Sequence, residues 1–478
     1  MLRKTILLLF TLFCAELVIA QEAWTLQKCI DYAFQQNIQI KQAELGLQSS
    51  EVNRMQTRAS TLPTVNGSVS HGYNWGQTID PFTNSFATER IRSNSVGVNS
   101  SLLLFNGFQQ MNSLQQVDID RDARAQDLER VKNDIALNVA NAFLNVLFTE
   151  EFEKIARANF DNTAEQVERM KKLVDAGSVA RGSLYDIEAQ MASDEAGVIA
   201  AENNVILAYL ALTQLLQMPS EEADNFKIAA PDATEIDKIQ LVANPDVVAQ
   251  AALNNFPQIK SAELDVLFAR KSLSIAQGTR SPRLSVSFSY GTGYSGANAI
   301  ATDSLNLGYL PVGQVAGSGD LVTTLNEQIF PSNFVTKSLG DQLSDNVNRS
   351  LFFTMSIPIF NGFNSKASVQ RAKIGIQNAE LILENNRNIL DQSVQRAYAD
   401  AQASLRNFRA SEKSVTAAQE ALDYAKVRYE AGASNSVEYT AARVRLDNAR
   451  ADLIRNKYDY LFKTKVVDFY LGQPITFN

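Results

Sequence analysis

Leu104-Phe105-Asn106-Gly107-Phe108 recurs, with one conservative change, as Ile359-Phe360-Asn361-Gly362-Phe363, and this pair decides the fold. Each copy closes a stretch that alternates apolar and small polar residues and opens one with helical periodicity, so each marks a strand-to-helix junction. The spacing of 255 residues also carries Ala176-Gly177 onto Ala431-Gly432 and Met218-Pro219 onto Gln473-Pro474. Upstream, Ala43-Glu44-Leu45 matches Ala262-Glu263-Leu264 and Pro63 matches Pro282, at a spacing of 219. The two registers differ by 36 residues, an insertion that must lie between Pro282 and Ile359. The chain thus reads as two copies of one unit: a first repeat over 21–219, a linker over 220–245, a second repeat over 246–474 and a tail over 475–478.

Working outward, each unit opens with a short helix, from about Trp24 to Asn37 in the first, and a second helix that Pro63 stops near Ser60. The matching break is at Asn255 to Pro257. Strand alternation follows: Val65, Gly67, Val69, His71, then Val96, Val98, Ser100, Leu102, Leu104. In the second unit Leu284, Val286, Phe288, Tyr290 and Leu351, Phe353, Met355, Ile357, Ile359 alternate in the same way. About ten residues per strand suits a tilted membrane barrel. Tyr73, Trp75, Tyr290 and Tyr294 fall at the outer strand ends, where an aromatic girdle sits.

Past each junction the pattern is helical and free of proline from about Phe108 to Asp175 and Phe363 to Glu430. Some 68 residues at 1.5 Å each make a rod of roughly 100 Å. Leu128, Val131, Ile135, Val139, Ala142, Val146 form one coiled-coil seam, and Ile382, Ile389, Ala397, Ala401, Leu405, Phe408 another. A return helix is expected from Ser183 to Gln217. The fold class is therefore an α+β membrane protein with long antiparallel coiled-coil helices and four transmembrane strands per chain. Four strands cannot close alone; a homotrimer gives a barrel of twelve, with outer-membrane lipid around it.

Arg3 and Lys4 precede the apolar run Ile6 to Phe13, and Val18 and Ala20 sit where a signal peptidase reads, so 1–20 is a secretory signal. Cys14 follows Phe13 rather than a small residue, which argues against a lipoprotein. Cleavage leaves Cys29 as the one thiol and no internal disulfide. A formal charge of −8 argues against nucleic acid. After the signal, the most apolar stretch, Val205 to Met218, is too short and too polar to cross a bilayer.

The doubled plan, the two junction motifs and the two Ala-Gly turns resemble the TolC-like outer-membrane factor family over nearly the whole mature chain. The resemblance implies a homotrimer in the outer membrane of a Gram-negative bacterium, extending into the periplasm as a helical tunnel. It also implies a passive exit duct for a tripartite efflux or type I secretion system, served by a periplasmic adaptor protein and an inner-membrane pump. Gly177 and Gly432, with Ala176 and Ala431, end the rods and by this resemblance form the periplasmic tip that docks the adaptor. Glu438 and Asp186 are candidates for an acidic entrance ring. Tyr429 stands at a latch tyrosine, whereas Ser183 and Ser434 stand where the latch acid and arginine would be.

No catalytic chemistry is encoded in a recognisable pattern. His71 is the one histidine and has no ligand cluster around it, and Gly291 and Gly293 lie in a strand context without a following helix. No cofactor or metal is expected. The competing reading is a periplasmic coiled-coil adaptor or structural protein of an export complex, which the strand rows disfavour. The segment from about Gly296 to Arg349 is weakly patterned and is expected to be an extracellular cap or plug rather than a domain. Mass spectrometry of the protein taken from membranes should find Gln21 at its N-terminus; an intact Met1 or a lipidated cysteine would refute the export signal.

Overall fold

The computed structural model describes residues 23–80, 82–84, 86–87, 90–230, 244–434 and 436–475. The signal segment, half of the linker and the last three residues lie outside them. Two compact units divide the chain: Met1–Val52 with Asp118–Ala269 and Gly375–Asn478, and Asn53–Val117 with Arg270–Ile374.

In chain order the elements are α1 (Leu26–Gln36), α2 (Ile38–Ala59), β1 (Thr64–Asn74), β2 (Thr78–Ile79), β3 (Phe86–Ala87), β4 (Ile91–Phe105), α3 (Gln109–Asp175) and α4 (Arg181–Leu216). Then come α5 (Ser220–Ala223), α6 (Pro245–Asn255), α7 (Pro257–Gly278), β5 (Arg283–Ser295), β6 (Ala299–Asn306), β7 (Pro311–Gln314) and β8 (Leu321–Thr323). The chain closes with β9 (Ile329–Thr336), α8 (Leu339–Asp345), β10 (Asn348–Ser356), α9 (Asn364–Glu430) and α10 (Ser436–Tyr470). The rods α3 and α9 have 67 residues each, within a residue of their expected ends.

The all-helical unit is held by apolar stripes. Leu26, Cys29, Ile30 and Ala33 of α1 pack with Ile40, with Ile135, Val139, Phe143 and Leu147 of α3, and with Leu212 and Leu216 of α4. A second core joins Val248, Ala249, Ala252 and Ile259 to Leu390, Val394, Ala401 and Val467. Thr25 caps α1 through its hydroxyl, and Asn244 caps α6 through its side-chain oxygen. One expectation needs correcting. Among the described residues α4, at 36 residues, is the one helix long and apolar enough for a bilayer by length and composition. The return helix has nearly its expected extent, but an apolar run counted from Val205 alone leaves out Gly197 to Ala201 in the same helix. Its Ala208, Leu212 and Leu216 are buried in the helical core, and Tyr209 Oη donates to Glu150 at 2.6 Å, so it sits as a packed helix.

In the second unit β1-β4-β5-β10 form one antiparallel sheet in that order. The neighbours β4 and β5 come from different halves of the sequence. Two differences from expectation appear here. β10 stops at Ser356, short of the expected Ile359, because Pro358 has no N–H for the ladder. The weakly patterned insertion is ordered as a hairpin, β6 with β9 and β7 with β8, followed by α8. Its pattern is weak because β6, β7, β8 and nearly all of β9 are exposed, so neither face is selected to be apolar.

Cys29 is fully buried, and burial pushes its thiol up to about 12. The group stays protonated and shielded at pH 8, so maleimide should label it only after denaturation; rapid labelling of the native protein would refute this packing.

Candidate functional site

The sheet has two chemically different faces, fixed by register. On one lie Val65, Val69, Val96, Val98, Leu102, Val286, Phe288, Tyr290, Leu351, Phe353 and Met355, with His71, Arg92, Asn94, Ser100, Thr292 and Arg349 the polar exceptions. Nearly all of these are exposed or half-exposed, Val69 at 80% and Phe353 at 66%, so an apolar surface is presented outward. The other face carries Thr64, Asn66, Ser68, Ser70, Ser93, Ser95, Asn99, Ser101, Ser285, Ser287, Ser289, Gly291 and Gly293, with Ile91, Leu103 and Phe352 the exceptions. Hydroxyls bridge strands there: Thr64 Oγ1 and Ser101 Oγ are 2.8 Å apart, Ser70 Oγ and Ser95 Oγ 2.7 Å. A bulge between Leu103 and Phe105 shifts the pairing by one residue. That shift keeps Phe105, opposite Leu284, on the apolar face.

The junctions follow immediately. Gly107 and Gly362 have φ of +67° and +61°, and Phe108 and Phe363 are both at +61°. Two successive left-handed residues turn the chain from strand into helix, which explains the glycine in each motif. Phe105 meets Phe108 edge-on at 5.4 Å, Phe360 meets Phe363 at 5.6 Å, and the Asn106 side chain accepts from Gln110 N at 3.1 Å. The Asn361 side chain instead donates to Ser365 Oγ at 2.6 Å. Gly107 is crowded: an added Cβ would meet the Gly278 carbonyl and Ser281. Gly362 has open space around it in its own chain.

At the rod ends Gly177 and Gly432 share a φ of +70°. Gly177 N bonds Val174 O and Ser178 N bonds Leu173 O; Gly432 N bonds Tyr429 O and Ala433 N bonds Arg428 O, all at 2.9–3.0 Å. This six-to-one plus five-to-two pattern satisfies the last carbonyls of each rod. Both glycines and both alanines, Ala176 and Ala431, are exposed. Asp186 is exposed on α4, and Ser183 N bonds Ala180 O at 3.1 Å in the first turn. Glu438 accepts from Ser434 Oγ at 2.7 Å and faces Arg428 at 3.7 Å, so its charge is balanced within its own hairpin. Tyr429 stacks on Tyr439 at 5.4 Å.

Of the girdle residues, Tyr73, Trp75 and Tyr290 are exposed, with Arg90 over Tyr73 and Arg349 over Tyr290. Tyr294 departs from the expectation: it is 8% exposed, with Arg92 4.7 Å over its ring. His71 pairs with the Asn94 side chain across the β1–β4 ladder.

Two polar clusters escaped the sequence reading. Arg443 of α10, 6% exposed, donates to Thr163 Oγ1 at 2.6 Å and faces Asp194 at 3.6 Å and Asp447 at 3.7 Å. Asp194 also accepts from Thr163 at 2.5 Å and Gln190 at 2.7 Å. Burial raises the Asp447 carboxyl and Arg443 partly offsets it. The available signal was an arginine three residues before Leu446, which the helix buries. The second cluster joins Asp80, Ser295 and Gln342, far apart in sequence.

Comparison with known proteins agrees with this geometry. The family model described as "Outer membrane efflux protein" matches residues 29–217 and 248–473. The outer membrane protein TolC of Vibrio cholerae is 22% identical over 408 residues, covering 85% of this chain and 81% of that one. Among solved structures, the CusC channel superposes with a TM-score of 0.74 at 19% identity, covering 94% of this chain and 92% of that one. The CmeC outer membrane channel of Campylobacter jejuni gives 0.72 at 17%, covering 94% and 85%.

Arg443→Ala should destabilise the helical unit by about 3–5 kcal/mol, because the buried Asp447 and the half-buried Asp194 lose their shared cation. Removing Arg443 lifts the Asp447 carboxyl further, so the loss should shrink as pH falls and Asp447 protonates in both states, and grow as pH rises. Denaturation midpoints at pH 5 and pH 8 measure both; equal midpoints for variant and parent would refute the role.

Proposed function

The chain belongs to the outer membrane efflux protein family, and on that premise we propose that three copies close one twelve-stranded barrel that conducts solute passively out of the cell. The protein is an outer-membrane efflux channel; the finer assignments below are our reading. The observation that carries them is the open sheet, largely apolar on one face and hydroxyl-lined on the other, whose edge strands β1 and β10 have no second strand partner among the described residues. In hydrocarbon such edges must be paired. The β4–β5 pairing within the chain supplies the pattern, since it joins the second strand of one half to the first strand of the other. Repeating it places β10 against β1 of the next copy, a head-to-tail contact that closes as a ring.

Burial supports the doubled plan. Cys29, Ala33 and Ile40 are buried, as are Val248, Ala252 and Ile259 in the 219 register. Ile135, Val139 and Leu212 correspond to Leu390, Val394 and Val467 in the 255 register. Unpartnered apolar residues also support assembly: Leu45 and Val52 on α2 and Leu381, Ile382 and Ile389 on α9 are exposed. They would meet between neighbours.

The tip residues Ala176, Gly177, Ala431 and Gly432 are the proposed contact for a periplasmic adaptor, behind which an inner-membrane pump supplies the energy. With Glu438 paired to Arg428, exposed Asp186 is the stronger candidate for an acidic entrance ring. Tyr73, Trp75 and Tyr290 are the proposed interfacial aromatics, and the β6–β9 hairpin an outer cap. A periplasmic adaptor is the weaker reading, because it leaves the apolar sheet face in water.

Protein extracted from outer membranes should run as a trimer and form pores in planar bilayers; a soluble monomer without conductance would sink the channel reading. Val69→Arg should block insertion, at about 2–4 kcal/mol per copy at mid-membrane. Ser70→Asp, one residue along on the other face, should leave assembly intact and increase cation selectivity. Equal effects of the two would refute the assignment of faces.

A further inference from the structure

We propose that Phe82 sets the upper size of solute able to pass the end of the sheet remote from the helix junctions, by laying its ring across the polar face. This rests on the reading of that face as the pore lining. Ser70, Ser95 and Gly293 form one row of that face, and Ser68, Gly97 and Gly291 the next. These two rows across β1, β4 and β5 are built from serine and glycine alone, so a single ring there changes the opening. Phe82 comes from the β1–β4 connection, and its Cζ and Cε1 occupy the space into which a side chain at Gly293 would project. Ile91, at the same end of the same face, is buried at 5% exposure.

The ring is not carried by a loose loop. Asp80 is 2% exposed, and its Oδ1 accepts from Phe82 N at 3.0 Å, Thr83 N at 2.8 Å and Thr83 Oγ1 at 3.1 Å. Its carbonyl accepts from Asn84 N at 2.8 Å, and its Oδ2 pairs with Ser295 Oγ. Ser295 is in turn locked to α8: its N–H donates to Gln342 Oε1 at 2.9 Å, while Gln342 Nε2 donates to the carbonyls of Ser295 at 3.0 Å and Lys337 at 2.9 Å. The β1–β4 connection, the end of β5 and α8 thus converge on one buried and well-satisfied polar knot. Phe82 stands two residues from its hub. Three copies around one axis would bring three such rings to the mouth of a lining otherwise made of hydroxyls, amides and glycines, apart from Ile91, Leu103 and Phe352. An apolar constriction of that kind limits passage by width and by dewetting.

The test uses Asn99→Cys, an exposed position on the polar face nearer the junctions, with native Cys29 buried and unreactive. Intact cells are treated with membrane-impermeant maleimides of increasing polyethylene glycol length. In the Asn99→Cys parent a small charged maleimide should label and the longer reagents should be excluded. Phe82→Ser should admit the longer reagents with several-fold more labelling, and Gly293→Ala, whose added methyl crowds both the Phe82 ring and the Asn94 carbonyl, should act in the same direction where trimers stay intact. Phe86→Ser, in the same connection, should leave the cut-off where it was. An unchanged cut-off in both Phe82→Ser and Gly293→Ala, with trimers intact on gels, overturns the proposal. So does an equal shift in Phe86→Ser. Failure of even the smallest reagent to label Asn99→Cys in every background also overturns it, but by removing the pore-lining reading beneath it.

Discussion

A backbone amide in hydrocarbon has no water to turn to, and an unpaired one costs several kcal/mol. Everything about the strand-bearing unit answers to that constraint. The sheet satisfies its interior ladder, but the outer edges of β1 and β10 have no strand partner among the described residues. One face is largely apolar, and so suits lipid. Its other face carries hydroxyls that bridge strands and still have capacity for water. A surface of this kind is stable in neither water nor lipid as a single sheet.

The helical unit answers a different constraint, that of packing long helices without an apolar excess. Alanine, serine and asparagine fill much of α3 and α9, and the buried stripes are narrow. Cohesion is concentrated where α1 and α6 add a third layer. Toward the turns the apolar contacts thin to small clusters, Val167 with Met170 and Ile187, and Ala418 with Leu446 and Ala449. There the Arg443 network carries a larger share, and a half-satisfied buried charge is a weaker fastening than a packed leucine.

Much of this was legible in the sequence because it is periodic. The rods lack proline for 67 residues and end in glycine, and both boundaries followed from that. The strands alternated cleanly because their two faces meet different solvents. What stayed hidden was aperiodic or non-local. The bulge at Leu103/Phe105 is a single skipped residue. The β6–β9 hairpin is exposed throughout, so no face imposed a pattern on it. Tyr294 looked like a surface aromatic, but nothing in its neighbours Gly293 and Ser295 announces that Arg92 covers it. Asp80 and Ser295 stand 215 residues apart, and no local rule links them.

The pairing of β4 with β5 has a consequence for the order of events during biogenesis. It joins two halves already tethered in one polypeptide, so this seam forms at the high effective concentration of an intramolecular reaction. In the proposed ring the seam between β10 and β1 of a neighbour would have no tether and would wait for encounter. In a ring of three copies, duplication within the chain therefore turns half of the closing contacts from collisions into folding steps. A sheet half as wide would need six independent arrivals to complete the same circle, with more partial assemblies exposing apolar strands along the way. The fused repeat thus shortens the time during which an incomplete wall can aggregate.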